Sequence, residues 1–234
     1  MRSLRIVSLV AAVALLSACA GQQGSKVNLP EKGDPEYFKV RDSMADEVYV
    51  NQDAAKLNWV DNIRRIYIAP ANTSRTQIIQ PHNVSASDID AWSMDDIEDN
   101  VLQNKFIKSM TQALELDNAF HVVSQRDQAQ AVLHSRVIAI HPYEPRSVVE
   151  AGGKGGGAVT MSFAFIDPSD EKVMIRLLDS KSTDDIWAFH NIDDGKTALD
   201  LIYESWGYQI RRSLLFLQGR LDASSPAIQL KRQK

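Results

Sequence analysis

The sequence predicts an α+β fold, in which a mixed, mostly antiparallel sheet carries two amphipathic helices packed on one face. Two observations lead to this prediction. Short runs of β-branched and aromatic residues alternate with turn residues along the chain, which is typical of strands. Two longer stretches carry apolar residues at helical spacing, and two such helices need a shared surface on which to bury their stripes.

Several segments have the composition of strands: residues 65–69, 120–124, 131–141, 158–166, 172–178 and 186–189. Between Val159 and Phe165 the odd-numbered residues are large and apolar whereas the even-numbered ones are small or polar, so one face of this strand is expected in the core. Pro70 ends the first strand, and a long polar loop is expected to follow it. The turn residues at 180–185 predict that the last two strands form a hairpin.

Capping signals mark the two predicted helices. The first helix is expected to begin with Ser93 and Asp96, an aspartate variant of the capping box. Its apolar stripe is Leu102, Phe106, Met110 and Ala113. The second begins with a capping box of Thr197 and Asp200 and ends at Gly219, where a glycine often stops a helix. Its stripe is Leu199, Ile202, Trp206, Ile210, Leu214 and Leu217.

The first eighteen residues have the features of an export signal. Arg2 and Arg5 precede an apolar run over residues 6–16, and a run of about eleven residues is too short to span a bilayer, which needs about twenty. The signal ends in Leu-Ser-Ala-Cys, which resembles the lipobox of bacterial lipoproteins. We therefore expect cleavage between Ala18 and Cys19 and a lipid on Cys19. An ordinary secretory signal with a chance cysteine is the alternative.

Cys19 also determines the expected location of the protein. Acyl chains on this residue would hold the chain on a membrane, with about 0.8 kcal/mol for each buried methylene. Ala20 stands where lipoproteins with this type of signal carry aspartate when they stay in the inner membrane. The predicted location is the inner leaflet of the outer membrane, facing the periplasm. Since Cys19 is the only cysteine, its acylation leaves no thiol for a disulfide or a metal site.

Composition divides the chain into four parts. Residues 1–18 are the lipoprotein signal peptide, and residues 19–34 are the lipidated cysteine with a flexible tether. Residues 35–221 are expected to form a single α+β periplasmic domain, and residues 222–234 a disordered tail. Removal of the signal changes the formal net charge from −4 to −6 because Arg2 and Arg5 are lost. Such an acidic chain is a poor binder of nucleic acid.

Residues 195–197, Gly-Lys-Thr, look like the end of a phosphate-binding loop between a strand and a helix. His190 stands where such a loop requires glycine. Asp193 and Asp194 add two carboxylates that would repel phosphate. The sequence therefore predicts a turn followed by a helix cap here, with no nucleotide and no cofactor.

Neither the glycine cluster nor the histidines indicate a catalytic or metal site. Residues 152–157 are five glycines and one lysine, and we interpret them as a mobile hairpin connection; a loop that folds against a partner or a lipid surface is the alternative. His134 and His141 share a predicted strand, and their odd separation predicts that they point to opposite faces if the strand is unbroken. The other histidines, His82, His121 and His190, show no zinc-site spacing.

Acidic pairs and tryptophans are expected to have structural roles. The pairs occur at helix starts or turns, where aspartate caps backbone N–H groups: Asp95 and Asp96, Asp184 and Asp185, and Asp193 and Asp194. Trp187 and Trp206 are predicted in the core. Trp59 and Trp92 lie near predicted loops, where they would serve either as surface anchors or as lids over the core.

Several short motifs resemble one bacterial family. They are Asp46-Glu-Val-Tyr-Val50, Leu57-Asn-Trp59, Ile66-Tyr-Ile-Ala-Pro70, Leu178-Asp-Ser-Lys-Ser-Thr183, Ile186-Trp-Ala188 and Trp206 in the final helix. In this order, behind a lipobox and a polar tether, they resemble the bacterial lipoprotein family of domain of unknown function 3313. The resemblance implies an uncharacterised periplasmic lipoprotein and brings no catalytic residue with it.

Two functions are consistent with the sequence. The first is a noncatalytic interaction or accessory module of the bacterial envelope, anchored in the membrane through Cys19 and bound to an envelope protein. The second is a small-ligand-binding protein or a hydrolase that uses polar groups of the α+β domain. A pocket in the folded chain would favour the second function, and a closed core would count against it.

Overall fold

A computed structural model describes residues 35–40, 45–56, 58–153, 155–186 and 197–220. Eight strands and four α-helices lie within these ranges. The strands are β1 Tyr37–Lys39, β2 Glu47–Asn51, β3 Arg65–Ile68, β4 Gln77–Ile78, β5 His121–Val123, β6 Ala131–Pro142, β7 Gly157–Ile166 and β8 Val173–Thr183. The helices are α1 Gln52–Lys56, α2 Asp96–Glu115, α3 Arg146–Glu150 and α4 Ala198–Leu217.

One mixed sheet holds all eight strands in the order β1-β2-β8-β7-β6-β3-β5, and β4 pairs with β6 outside this path. The pairs of β3 with β5 and β6, and of β4 with β6, are parallel, and the other pairs are antiparallel. The buried stripes of α2 and α4 join one face of the sheet in a common hydrophobic core. The predicted fold class is confirmed.

The start of α2 differs from the prediction. Asp95, not Ser93, is the N-cap: its Oδ1 accepts hydrogen bonds from the N–H groups of Ile97 and Glu98, at 2.9 and 2.8 Å. Glu98 Oε2 accepts in return from the Asp95 N–H, at 2.9 Å. The predicted pair of Ser93 with Asp96 was wrong because the longer glutamate, three residues after Asp95, completes the box. All four residues of the predicted stripe are buried.

The predicted ends of α4 are confirmed. The Thr197 N–H donates to Asp200 Oδ2 at 2.8 Å, and the Asp200 N–H donates to Thr197 Oγ1 at 3.4 Å, which closes a capping box. Gly219 has a φ of +62°, the left-handed conformation that glycine adopts after a helix. The stripe is buried from Leu199 to Leu214. Leu217 was wrongly predicted to join it, because its side chain on the last turn of α4 is half exposed and does not reach the core.

The two long helices approach each other closely at Gly207. A Cβ atom on Gly207 would lie 2.5 Å from the Cβ of Ala113, so only glycine fits at this crossing. One helical turn before Gly207, the Tyr203 ring meets the Phe106 ring edge to face, with centroids 5.4 Å apart. This contact joins α2 to α4.

The C-terminal half of β8 also differs from the prediction. Residues 180–183 continue the strand and pair with residues 157–160 of β7, so the predicted hairpin at 180–185 was wrong. Pairing with a long neighbouring strand outweighs the turn preference of these residues. The observed turn is at Asp167–Lys172, where the Asp167 N–H donates to the Lys172 carbonyl at 2.9 Å. Ile186 is buried just beyond β8, and residues 187–189 of the predicted last strand lie outside the described residues.

β7 is buried on both faces over part of its length. Val159, Met161, Phe163 and Phe165 face the main core, as predicted. On the other face, Ala164 and Ile166 form a small second cluster with Val132 of β6. Within the described ranges, no helix combines the length and the apolar composition that crossing a membrane requires.

Candidate functional site

A pocket of about 580 Å³ lies between the C-terminal half of α4 and the strands β8, β2 and β1. It exists because the sheet extends beyond α4: β2 pairs with β8, and β1 with β2, at the end of the sheet away from β5. Side chains of these strands that face the helix layer form the floor, and α4 forms one wall. The strand residues are Phe38, Val48, Val50, Ile175 and Leu177, Val40 directly follows β1, and the residues of α4 are Trp206, Ile210, Leu214, Phe216 and Leu217.

A buried carboxylate is among the groups that line this pocket. Asp179 on β8 is 5% exposed, and its Oδ2 accepts a 2.7 Å hydrogen bond from Trp206 Nε1–H. The ammonium of Lys181 lies 3.3 Å from the same oxygen. Asp179 Oδ1 accepts from the Asp46 N–H at 3.0 Å, and Asp46 Oδ2 accepts from the Ser180 N–H at 3.0 Å. This network joins α4, β8 and the start of β2.

This network leaves few hydrogen-bonding groups inside the pocket without a partner. Both oxygens of Asp179 already accept hydrogen bonds, so burying a hydrocarbon beside this carboxylate would leave neither oxygen without a partner. Phe163 packs against Trp206 with ring centroids 5.6 Å apart, and this contact holds the indole in place. The other polar lining residues are exposed or half-buried: Asn58, Asp61, Gln209, Arg212 and Ser213. The site combines an apolar interior with polar groups nearer to solvent.

The mouth of the pocket exposes large apolar side chains. Phe38 on β1 is 45% exposed, and Phe216 and Leu217 on the last turn of α4 are 52% and 49% exposed. All three line the pocket, so the apolar surface of its interior continues onto the outside of the protein. We call these three residues the apolar rim.

Most of the predicted site residues lie outside the described ranges. They include the predicted cleavage and lipidation residues Ala18 and Cys19, together with His190, Asp193, Asp194, Gly195 and Lys196 around the apparent phosphate loop. Thr197 is described, and its side chain caps α4, as predicted. Trp187 also lies outside the described part of the chain, and its core position stays a prediction.

The two histidines of β6 do not lie as they would on an unbroken strand. A bulge between Val137 and Ala139 shifts the register, so that His134 pairs with Ala164 and His141 with Ala158. Both partners are even-numbered residues of β7, which places both histidines on the same sheet face, not on opposite faces. About six residues of strand, or roughly 20 Å, separate them. Burial, together with nearby Arg126, lowers the pKa of His134, against the opposing effect of Glu171.

No described group of three or more metal-ligating side chains is close enough together to hold an ion. The acidic pairs lie at a helix start and a turn: Asp95 caps α2, and the Asp185 N–H donates to Thr183 Oγ1 at 3.3 Å. In the glycine cluster, Gly152 has a φ of +91° after α3, and Gly157 begins β7. The strand predicted after this cluster is confirmed. The mobility of the glycine cluster stays a prediction.

All three described tryptophans are buried. Trp206 lies in the core, as predicted. Trp59 and Trp92 are also buried, which favours lids over surface anchors. Trp92 Nε1–H donates to the carbonyl of Glu144 at 2.8 Å, and the Arg146 guanidinium lies over its ring. These contacts tie the loop before α2 to the segment that follows β6.

Sequence reasoning did not find the pocket, although two residues of the family resemblance, Asp179 and Trp206, line it. Hydrogen bonds join Asp179 to Trp206 and to Asp46, a third residue of that resemblance. In the sequence, Asp179 was part of an expected strand and turn, and Trp206 part of a helix stripe. A buried Trp–Asp hydrogen bond between distant elements leaves no local pattern, so only the combination of these motifs could have indicated it.

No protein-family model matches the chain, and a comparison with curated proteins finds no relative. Solved structures with a partly similar arrangement include XCC0632 from Xanthomonas campestris, a DUF330 protein, with 11% identity and a TM-score of 0.40 over 68% of this chain and 87% of that one. Lipoprotein GNA1162 from Neisseria meningitidis has 10% identity and a TM-score of 0.34, over 63% and 97%.

The PelC dodecamer from Paraburkholderia phytofirmans has 11% identity and a TM-score of 0.36, over 62% of this chain and 86% of that one. At these identities and TM-scores, the similarities carry no argument about what this chain does. The resemblance to the family of domain of unknown function 3313 stays a hypothesis.

Proposed function

We propose that this protein is a lipid-anchored lipoprotein of the bacterial envelope, facing the periplasm, whose folded part binds an aliphatic chain without catalysis. The anchor and the location come from the signal and from Cys19. The binding function comes from one observation, the apolar pocket beside α4. Its volume falls within the range of about 300–1,000 Å³ that is typical of small-molecule sites.

The chemistry of the pocket walls favours a hydrocarbon. Strand and helix side chains present mostly aliphatic and aromatic surface, and the buried Asp179 carboxylate is already held by Trp206 and Lys181. A polar ligand would lose hydrogen bonds to water here without replacing them, whereas each buried methylene contributes about 0.8 kcal/mol. Ten methylenes would give about 8 kcal/mol before the cost of ordering, so we expect a dissociation constant of about 1–100 μM.

A noncatalytic role fits the same geometry. The described lining residues include Ser213 but no histidine or cysteine, and Asp179 is committed to structural hydrogen bonds. A hydrolase needs a nucleophile within hydrogen-bond reach of a base, with the base itself oriented by a third group. The residues that line this pocket provide no such arrangement, so ligand binding is the function that we propose.

Pocket binding can be tested on the unlipidated mature chain carrying Cys19→Ser. We expect dansyl-aminoundecanoic acid to bind with increased, blue-shifted fluorescence. Leu177→Trp places an indole in the pocket and should weaken binding at least tenfold. Leu178→Trp is the matched control, because Leu178 is the next residue of β8, faces the opposite side and is also half-buried. Equal binding by both variants would refute the pocket as the site.

The anchor needs a separate experiment. In cells, Cys19→Ser should abolish palmitate labelling and move the protein out of the membrane fraction or leave it uncleaved. Labelling and membrane retention that persist in this variant would exclude Cys19 as the lipidated residue.

A further inference from the structure

We infer that the apolar rim of Phe38, Phe216 and Leu217 docks on a lipid bilayer, so that the pocket takes its aliphatic chain directly from the membrane. This inference rests on the proposed function, because it names the source of the ligand. It adds a second surface, outside the pocket, with a bilayer as its partner. The exposure of the rim, its position and the chain that precedes β1 support this surface.

The rim gathers exposed apolar surface from two elements that are distant in sequence. Phe38 belongs to β1, whereas Phe216 and Leu217 belong to the last turn of α4, and about half of each side chain is exposed. Exposed apolar residues that occur singly are ordinary, but a group continuous with an apolar pocket marks an interaction site. The adjoining pocket lining includes Val40 and Leu214, so a chain that leaves a bilayer at the rim would meet hydrocarbon throughout.

The chain before β1 places this rim near the proposed anchor. Fifteen residues, 20–34, separate Cys19 from the described chain, and Phe38 follows Asp34 by only four positions. If this tether is as flexible as its composition predicts, its root-mean-square span is about 19–23 Å, since the span grows as about 5–6 Å times the square root of the length. The rim would therefore stay within reach of the surface that holds the lipid, at a high effective concentration.

The charges beside the rim indicate how it would dock. Asp61 and Arg212 have opposite charges and both line the pocket. Lys39, next to Phe38, forms a 2.8 Å ion pair with Glu47. These described charges beside the rim balance one another, so insertion of apolar side chains, not attraction to anionic lipid, would drive the docking. We therefore expect binding to uncharged bilayers and little dependence on salt.

The experiment uses the unlipidated mature chain with Cys19→Ser and phosphatidylcholine vesicles that contain dansyl-phosphatidylethanolamine. Energy transfer from the protein's tryptophans to dansyl reports docking. Phe216→Ser and Leu217→Ser should each lower the vesicle partition coefficient, and the double variant should lower it at least tenfold. Leu201→Ser is the matched control, because Leu201 is 50% exposed on the same helix but does not line the pocket; it should stay within twofold of the parent.

Thermal unfolding of each variant checks that the fold is intact, and Phe38→Ser on β1 replaces any α4 variant that unfolds early. Docking would be overturned if the parent chain did not bind the vesicles, if the rim variants bound them as the parent does, or if Leu201→Ser lost as much.

Leu177→Trp separates this inference from the proposed function. This variant should dock on vesicles as the parent does, but it should bind dansyl-aminoundecanoic acid in water at least tenfold more weakly. If the parent chain bound no fatty acid in water but still docked through the rim, the proposed function would fail and the docking surface would stand.

Discussion

Replacing Asp179 by alanine should destabilise the protein more than any change on the pocket floor. The Asp179 carboxylate accepts hydrogen bonds from the Trp206 indole and the Asp46 N–H, and it lies 3.3 Å from the Lys181 ammonium. Alanine would leave these three donors without their acceptor. The Lys181 side chain is only 19% exposed, so water replaces the lost partner incompletely.

The size of the effect follows from this burial. Removing one partner of a buried ion pair costs about 3–5 kcal/mol. A domain of 150–250 residues loses about 2–4 °C in Tm for each kcal/mol, so the Tm of Asp179→Ala should fall by about 6–20 °C. The contribution of the indole alone is smaller, because a hydrogen bond to a charged group contributes about 1.5–3 kcal/mol.

A double-mutant cycle of Asp179→Ala with Trp206→Phe, followed by urea unfolding, tests this reasoning. The two substitutions should be non-additive by about 1.5–3 kcal/mol, the contribution of the indole hydrogen bond. Trp59→Phe is the control for lost indole volume: Trp59 is buried, and the structure records no hydrogen bond from its side chain within the described residues. Additivity within about 0.5 kcal/mol would show that the hydrogen bond does not join α4 to β8 energetically.

Three further predictions concern α4 and its start. Gly207→Ala should cost about 1–3 kcal/mol in urea unfolding, because its Cβ would overlap Ala113, and Ala113→Gly should restore the loss; an unchanged midpoint would contradict the close helix crossing. Burial of Asp200 opposes its ionisation, but hydrogen bonds from Lys105 and Thr197 outweigh burial and hold its pKa below the ordinary 3.8. Its stabilisation is therefore complete above about pH 5 and lost as the pH falls through the folded-state pKa, so Asp200→Asn should flatten the decrease in unfolding free energy below pH 4; an equally steep decrease in this variant would contradict the pKa shift. Calorimetry should detect no Mg·ATP binding in the parent chain or in Lys196→Ala. Micromolar binding to the parent that is lost in Lys196→Ala would instead indicate a phosphate-binding loop.

The sequence predicted those parts of the fold that depend on local patterns. The stripe, the capping box of Thr197 with Asp200 and the terminal Gly219 define α4 almost to the residue, because each signal acts within a few positions. The start of α2 was misplaced by two residues, since Ser93 and Asp95 are both good caps and only Asp95 has a glutamate three positions later.

Features that depend on pairing between strands could not be predicted. The bulge of β6 moves His141 to the face of His134, and nothing in the local sequence marks the extra residue. Residues 180–183 have turn composition but extend β8 because β7 supplies partners for them. The pocket was hidden for a related reason: the same apolar residues line a core or a cavity, and their spacing does not reveal which.

The pairing of β2 with β8 has a consequence for the order in which the protein assembles. Val50 pairs with Ile175, about 125 positions later in the chain. In a chain exported from its N-terminus, β1 and β2 would reach the periplasm long before their partner does. Closing so long a loop is slow, and unpaired strand edges invite aggregation in the meantime. The segment nearest the proposed anchor would thus emerge first and fold last, so periplasmic holding chaperones would have most to protect at this part of the pocket floor.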